Sequence, residues 1–217
     1  MIRQRNNTID IFRLLASFLV VCLHTFPGNE VLWYDIINVF CRVAVPFFFL
    51  VSGYYFNTSN KNRSMKRILK ISLISMLFYF VFSLCIGYIN NDFSSIINAF
   101  SIKRILELII LNEPFFGGHL WFLFALLYCM AIDYFLSKKI KFINISLIIA
   151  PIIVFLVFAV GQTSYNFALW YTYIPFEFVR NFIFIGFPFF FFGKVIFLKH
   201  DYLLSINYNK IVIILFF

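Results

Sequence analysis

Phe178-Val179-Arg180-Asn181-Phe182-Ile183-Phe184-Ile185-Gly186, running on as Phe187-Pro188-Phe189-Phe190-Phe191-Phe192-Gly193-Lys194-Val195-Ile196-Phe197-Leu198, decides the fold class. From Phe187 to Phe192 the run is apolar at every position. A membrane β-barrel strand would alternate apolar and polar residues over about ten positions. The stretch is also close to the roughly 20 residues that a helix needs to cross a 30 Å hydrocarbon core. It reads as a transmembrane helix. The whole chain has the same character: 63% of its 217 residues are hydrophobic, 23% aromatic and 12% charged. Soluble domains carry about 25% charged residues, so a water-soluble globular domain is excluded. The 34 Phe residues exclude a disordered chain, which is poor in aromatics.

Five further runs have spanning length: Ile9–Phe26, Ile36–Phe56, Ile68–Ile89, His119–Leu136 and Phe142–Val160. A seventh starts at Ile211 and stops at Phe217, too short to cross. The expectation is an all-α polytopic transmembrane bundle of six spans plus the start of a seventh. Residues 1–217 then form one membrane domain, the N-terminal part of a longer protein. The first span is too long and too polar for the core of a cleaved signal peptide, so it stays as a membrane helix. The glycosylation-like triplets Asn57-Thr58-Ser59 and Asn144-Ile145-Ser146 fall at or near basic loops and read as chance matches.

The net charge is +9. A nucleic-acid binder would gather its basic residues on one solvated face. Here they are spread over loops, so no nucleic-acid partner is expected. Arg3 and Arg5 precede the first span. The next loop, Pro27 to Asp35, has neither Lys nor Arg. The third region holds Lys61, Arg63, Lys66, Arg67 and Lys70, whereas Asn90 to Gly118 has only Lys103 and Arg104. Lys138, Lys139 and Lys141 follow, then a basic-free loop from Gly161 to Glu177, then Lys194, Lys199 and Lys210 in the last loop region. Basic and non-basic loops alternate, which places the N-terminus in the cytoplasm. Cys22, Cys41, Cys85 and Cys129 have no metal-ligand spacing and read as small packing residues; no metal is expected.

Charged residues inside a bilayer are costly and mark functional sites by default. Arg13, Arg42 and Arg180 lie inside or at the rim of spans. Arg13 and His24 are eleven residues apart, about 20° past three full turns, so they share a helix face at an axial separation of about 16 Å. Asp10 sits one turn before Arg13, within reach as an i,i+3 partner. Asp10, Arg13 and His24 thus form one polar stripe along the first span. The plain alternative is a snorkelling Arg13 and a packing histidine. His119 opens the fourth span and reads first as an interface residue, second as a liner of an acceptor cleft. Trp121, and Tyr165, Trp170, Tyr171 and Tyr173 of a later loop, read as aromatic-belt residues. Ser95 to Leu111 reads as a partly amphipathic segment on the outer surface, and His200 as a residue without a specific role.

Asp10-Ile11-Phe12-Arg13-Leu14-Leu15-Ala16, followed by Val20-Val21-Cys22-Leu23-His24, resembles the opening helix of the membrane acyltransferase-3 family, with its Arg, ten residues and His. Val45-Pro46-Phe47-Phe48-Phe49-Leu50-Val51-Ser52-Gly53-Tyr54 resembles the family's second helix. Arg63 to Lys70, His119-Leu120-Trp121-Phe122-Leu123 and Phe187 to Gly193 resemble later landmarks, in order along the whole chain. Relatives of the family form the membrane half of serine and alanine racemases. The resemblance implies a multi-pass enzyme of the bacterial cytoplasmic membrane that moves an acyl group, commonly acetyl, from cytoplasmic acetyl-CoA to a cell-envelope glycan such as a polysaccharide or peptidoglycan. It implies His24 as general base, Arg13 as a donor-holding or charge-stabilising group, and Asp10 as its orienter. Arg63, Lys66, Arg67 and Lys70 are then candidates for the coenzyme A phosphates, or topology signals alone. Two other classes compete: a transporter or flippase for a glycan or small solute, and a membrane anchor or sensor module.

Overall fold

The computed structural model describes residues 7–25, 32–56, 60–136 and 180–199, with the backbone alone for 32–39. All regular elements among them are helical: α1 (Asn7–Thr25), α2 (Leu32–Phe56), α3 (Lys61–Asn90), α4 (Ser94–Ala99), α5 (Ile102–Leu111), α6 (Trp121–Leu136) and α7 (Phe187–Leu198). A 3-10 turn, Gly118–Leu120, leads into α6, and a π-helical turn, Phe182–Gly186, leads into α7. Asn7–Thr25, Lys61–Asn90 and Gly118–Leu136 are long and apolar enough to cross a membrane. The fifth expected span, Phe142–Val160, the seventh run and the loops around them lie outside the described residues, as do the triplets at Asn57 and Asn144, the later-loop aromatics and His200.

Helix boundaries differ from the sequence expectation in several places: α2 starts at Leu32 instead of Ile36, and in the expected span Phe178–Leu198 a π-helical turn from Phe182 precedes α7, which starts only at Phe187. The third span starts at Lys61 instead of Ile68, so the basic segment forms the opening turns of α3 rather than a loop. Asn60 causes this: its side-chain carbonyl accepts from the Arg63 backbone N–H at 3.1 Å, satisfying a donor that a helix start otherwise leaves orphaned. The segment from Ser95 to Leu111 is two helices, each with its own start. Asp92 Oδ1 accepts from Ser94 N at 2.8 Å ahead of α4, a bond that holds the Asp92 carboxyl below the usual carboxylate range. Ser101 Oγ accepts from Arg104 N ahead of α5.

The core lies between α2, α6 and α7. Phe49, Phe56, Trp121, Ala125, Leu126, Cys129, Met130, Phe190 and Phe191 form one buried cluster. Phe49 meets Phe122 edge-on at 4.7 Å. Among the described residues, α2 and α7 form the most extensive helix pair. Their backbones approach because a Cβ at Gly53 would fall on the Phe190 carbonyl and a Cβ at Gly193 on the Leu50 carbonyl. Small residues permit this close approach where lipid supplies no hydrophobic drive between helices. α1 packs on α2, and α3 on α6. The outer faces of α1 and α3 carry exposed Leu14, Phe18, Leu77 and Phe78, a surface suited to acyl chains.

Cys41 and Cys129 are buried packing residues, as the sequence implied; Cys85 is exposed on α3. Lys194 requires a correction. Counted with the last loop, it instead lies inside α7, buried, and donates to Asp133, which is fully buried on α6. A lysine that deep is held by a carboxylate and is not a loop charge.

Candidate active site along the first helix

The polar stripe of α1 borders the bundle, with Asp10 and Arg13 half-buried and His24 exposed. Arg13 Nη1 donates to Asp10 Oδ1 at 3.3 Å, the i,i+3 pairing expected from the sequence. Its guanidinium lies 5.0 Å from the centroid of the Tyr55 ring, on the last turn of α2. Such a cation–π contact suits guanidinium, a planar and weakly hydrated cation. Ala16, one turn further along the same face, is buried. It lets α1 lie close against its neighbour between the two polar ends.

At the far end of α1, the His24 ring meets the His119 ring edge-on at 6.0 Å. His119 in turn packs against Tyr79 of α3 at 4.6 Å. Three helices thus bring Tyr79, His119 and His24 to one place. His119 is more than a bilayer-interface residue: it is the neighbour of the candidate base. Arg13 and His24 share α1 and are separated by about 16 Å along its axis. They do not touch, and each has its own aromatic neighbour.

Below His119, a second polar group fixes the entry to α7. Asn112 Nδ2 donates to the Trp121 carbonyl at 3.2 Å, and Asn112 Oδ1 accepts from Phe182 N at 2.8 Å. Asn181 Oδ1 accepts from Ile183 N and Phe184 N. Arg180 pairs with Glu113 at 3.1 Å and lies 5.5 Å from the Trp121 ring. Buried amides that satisfy backbone groups on two elements hold those elements in one arrangement. Of the arginines singled out from sequence, Arg180 thus has a buried carboxylate partner, and Arg42 is exposed on α2.

Arg63, Lys66, Arg67 and Lys70 are all exposed on α3. Their i, i+3, i+4, i+7 spacing puts them on one face. Lys61, the first residue of the helix, turns away to Asp133 at 2.6 Å. Sequence reading missed Asp133, Lys61 and Lys194 as a group. The available signals were an acidic residue inside the apolar span His119–Leu136 and a lysine inside Phe178–Leu198. Tyr55, Tyr79 and Glu113 carried no signal of their own.

The profile of the acyltransferase domain family matches residues 6–217. The chain belongs to the acyltransferase-3 family. Three curated relatives of this acyltransferase domain are racemases. An amino-acid racemase of Enterococcus faecalis is 34% identical over 134 residues, covering 55% of this chain and 18% of that protein. A second from the same organism is 28% identical over 169 residues, 73% of this chain and 22% of that protein. A serine/alanine racemase of Enterococcus gallinarum is 30% identical over 139 residues, 57% of this chain and 18% of that protein. The acyltransferase domain therefore spans about a fifth of the length of the relatives it matches. No solved structure matches it.

Proposed function

We propose that this domain is an integral-membrane O-acyltransferase that takes acetyl from cytoplasmic acetyl-CoA to a glycan acceptor outside the membrane. In this reading the N-terminus is cytoplasmic, which the alternation of basic and non-basic loops supports. That orientation puts Asp10, Arg13 and Tyr55 on the donor side and His24, His119 and Tyr79 towards the acceptor. The observation that carries the reading is the polar stripe of α1: a charged pair at one end, a histidine on the same face at the other, each contacted by a neighbouring helix.

The exposed face of Arg63, Lys66, Arg67 and Lys70 receives the phosphates of the donor, and its pantetheine arm extends along α1 towards His24. His24 accepts the proton of the acceptor hydroxyl as its oxygen attacks the thioester carbonyl. The C–S bond then breaks, and the coenzyme leaves as its thiol after taking up a proton. Arg13, oriented by Asp10 at the opposite end of the stripe, holds the donor while the thioester reaches His24. Acetyl incorporation into envelope glycans, measured in cells carrying His24→Ala at matched protein level, tests the reading. Loss of incorporation is expected; full incorporation would remove His24 as the base.

The names of the relatives favour one further reading: the domain serves as the membrane part of an amino-acid racemase. Conversion of L-serine to D-serine by cells expressing the full-length protein is the measurement that separates the two.

A further inference from the structure

Asp133 is held between two lysines from different helices. Lys61 Nζ, opening α3, lies 2.6 Å from Asp133 Oδ2, and Lys194 Nζ of α7 binds Oδ1. The side chains of Asp133 and Lys194 are 1% and 6% exposed, that of Lys61 24%. Behind them stand aromatic faces: Phe56 lies 5.3 Å from the Lys61 ammonium and Phe191 lies 5.9 Å from that of Lys194. The group joins three helices and contains two ammoniums but one carboxylate. Among the described residues, no second carboxylate pairs with either lysine.

Two cations against one anion in an apolar bundle leave a positive charge uncompensated, and an ion taken from water needs its counter-charge nearby. Asp133 has both oxygens engaged. Lys194 is enclosed. Lys61 is the open member, and its ammonium keeps donor capacity beyond its one bond to Asp133. It also sits at the start of α3, where the helix dipole favours an anion, beside the exposed cations that begin at Arg63.

We propose that Lys61, propped by Asp133 against Lys194, is a phosphate-binding site that takes one phosphate oxyanion as the missing counter-charge. Two sources offer that chemistry at this end of α3: a phosphate of the acyl donor and the headgroup of an anionic lipid. The donor assignment rests on the acyltransferase reading given above; the phosphate site itself does not.

The test uses the full-length protein in nanodiscs. In phosphatidylcholine discs, acetyl-CoA binding is measured by calorimetry for the wild type, Lys61→Gln and Lys61→Arg. A Kd at least tenfold weaker for Lys61→Gln, with Lys61→Arg close to wild type, assigns the site to the donor. In a second arm without donor, the Tm gained on exchanging phosphatidylcholine for phosphatidylglycerol is compared. Loss of that gain in Lys61→Gln alone assigns the site to a lipid headgroup. Unchanged acetyl-CoA affinity and unchanged lipid response in Lys61→Gln would overturn the proposal and leave the three residues as a structural clamp. Phosphatidylglycerol stabilisation through Lys61 in a protein that transfers no acetyl would keep the site and defeat the acyltransferase reading.

Discussion

The His24 ring meets the His119 ring edge-on, with centroids 6.0 Å apart, and this contact ties the end of α1 to the entry of α6. His119 is itself seated on Tyr79 at 4.6 Å. Removing the candidate base and removing its neighbour should therefore have different consequences. His24→Ala should lower acetyl transfer by about 10²- to 10⁴-fold, the usual cost of a lost general base. His119→Phe keeps a ring for packing and should cost less, about tenfold, through misplacement of His24. Rates measured on membranes at matched expression check both. Equal losses would mean that His119 carries a proton-transfer role itself.

Arg13 makes two contacts of different kinds, an ion pair with Asp10 and a stack over Tyr55. Arg13→Lys retains the charge and loses the planar fork. It should lower transfer strongly while leaving membrane insertion intact. Asp10→Asn leaves the Tyr55 stack in place and should be milder. The ordering Arg13→Lys below Asp10→Asn is the outcome to look for in acetyl incorporation.

Replacing Arg63, Lys66 and Arg67 together with Gln should weaken acetyl-CoA binding by at least tenfold, since each charge-assisted contact is worth about 1.5–3 kcal/mol. All three are exposed on α3, so the fold should tolerate the change. Calorimetry on the inserted protein decides. Unchanged affinity would leave these residues as topology signals.

The α1 stripe was legible because it depends on helical periodicity alone: an eleven-residue interval fixes shared facing wherever the helix lies, and Asp10 to Arg13 is a contact within one turn. The apolar runs set α1, α2 and α6 to within a few residues for the same local reason. The Lys61–Asp133–Lys194 group was not legible. Its members are separated by 72 and 61 positions, and only the packing of α3, α6 and α7 brings them together. Lys194 was also misassigned, because the rule that reads orientation from lysines treats any lysine near a span end as belonging to a loop. The contact of His24 with His119 was hidden likewise, since nothing in a sequence period specifies which helices become neighbours.

Orientation can be tested on one helix. Asn62 and Ser95 are exposed residues at the start of α3 and just beyond its end. In a background without the four native cysteines, Ser95→Cys should react with an impermeant maleimide from outside intact cells, and Asn62→Cys only after permeabilisation. The expectation follows from the basic residues gathered at the start of α3. The reverse pattern would place the Arg13 end outside and remove coenzyme A from consideration as a donor at that end.

The crossing of α2 and α7 gives the sharpest structural prediction. A Cβ at Gly53 would fall on the backbone of Phe190, and one at Gly193 on the backbone of Leu50. Backbone atoms cannot swing aside as a side chain can, so Gly53→Ala must separate the helices. Overpacking of this kind typically costs about 1–3 kcal/mol, and the separation would also disturb Phe49, Phe190 and Phe191, which are fully buried near the crossing. Gly118 provides the control, since nothing lies within 4 Å of a Cβ there. Gly53→Ala should lower the Tm of the detergent-solubilised protein, whereas Gly118→Ala should leave it near wild type. The two glycines at the crossing should also be coupled. Once Gly53→Ala has forced the helices apart, adding Gly193→Ala should cost less than it does alone, because neighbouring sites that share a backbone shift are not additive. Full additivity of the two changes would mean that the helices do not meet at these glycines.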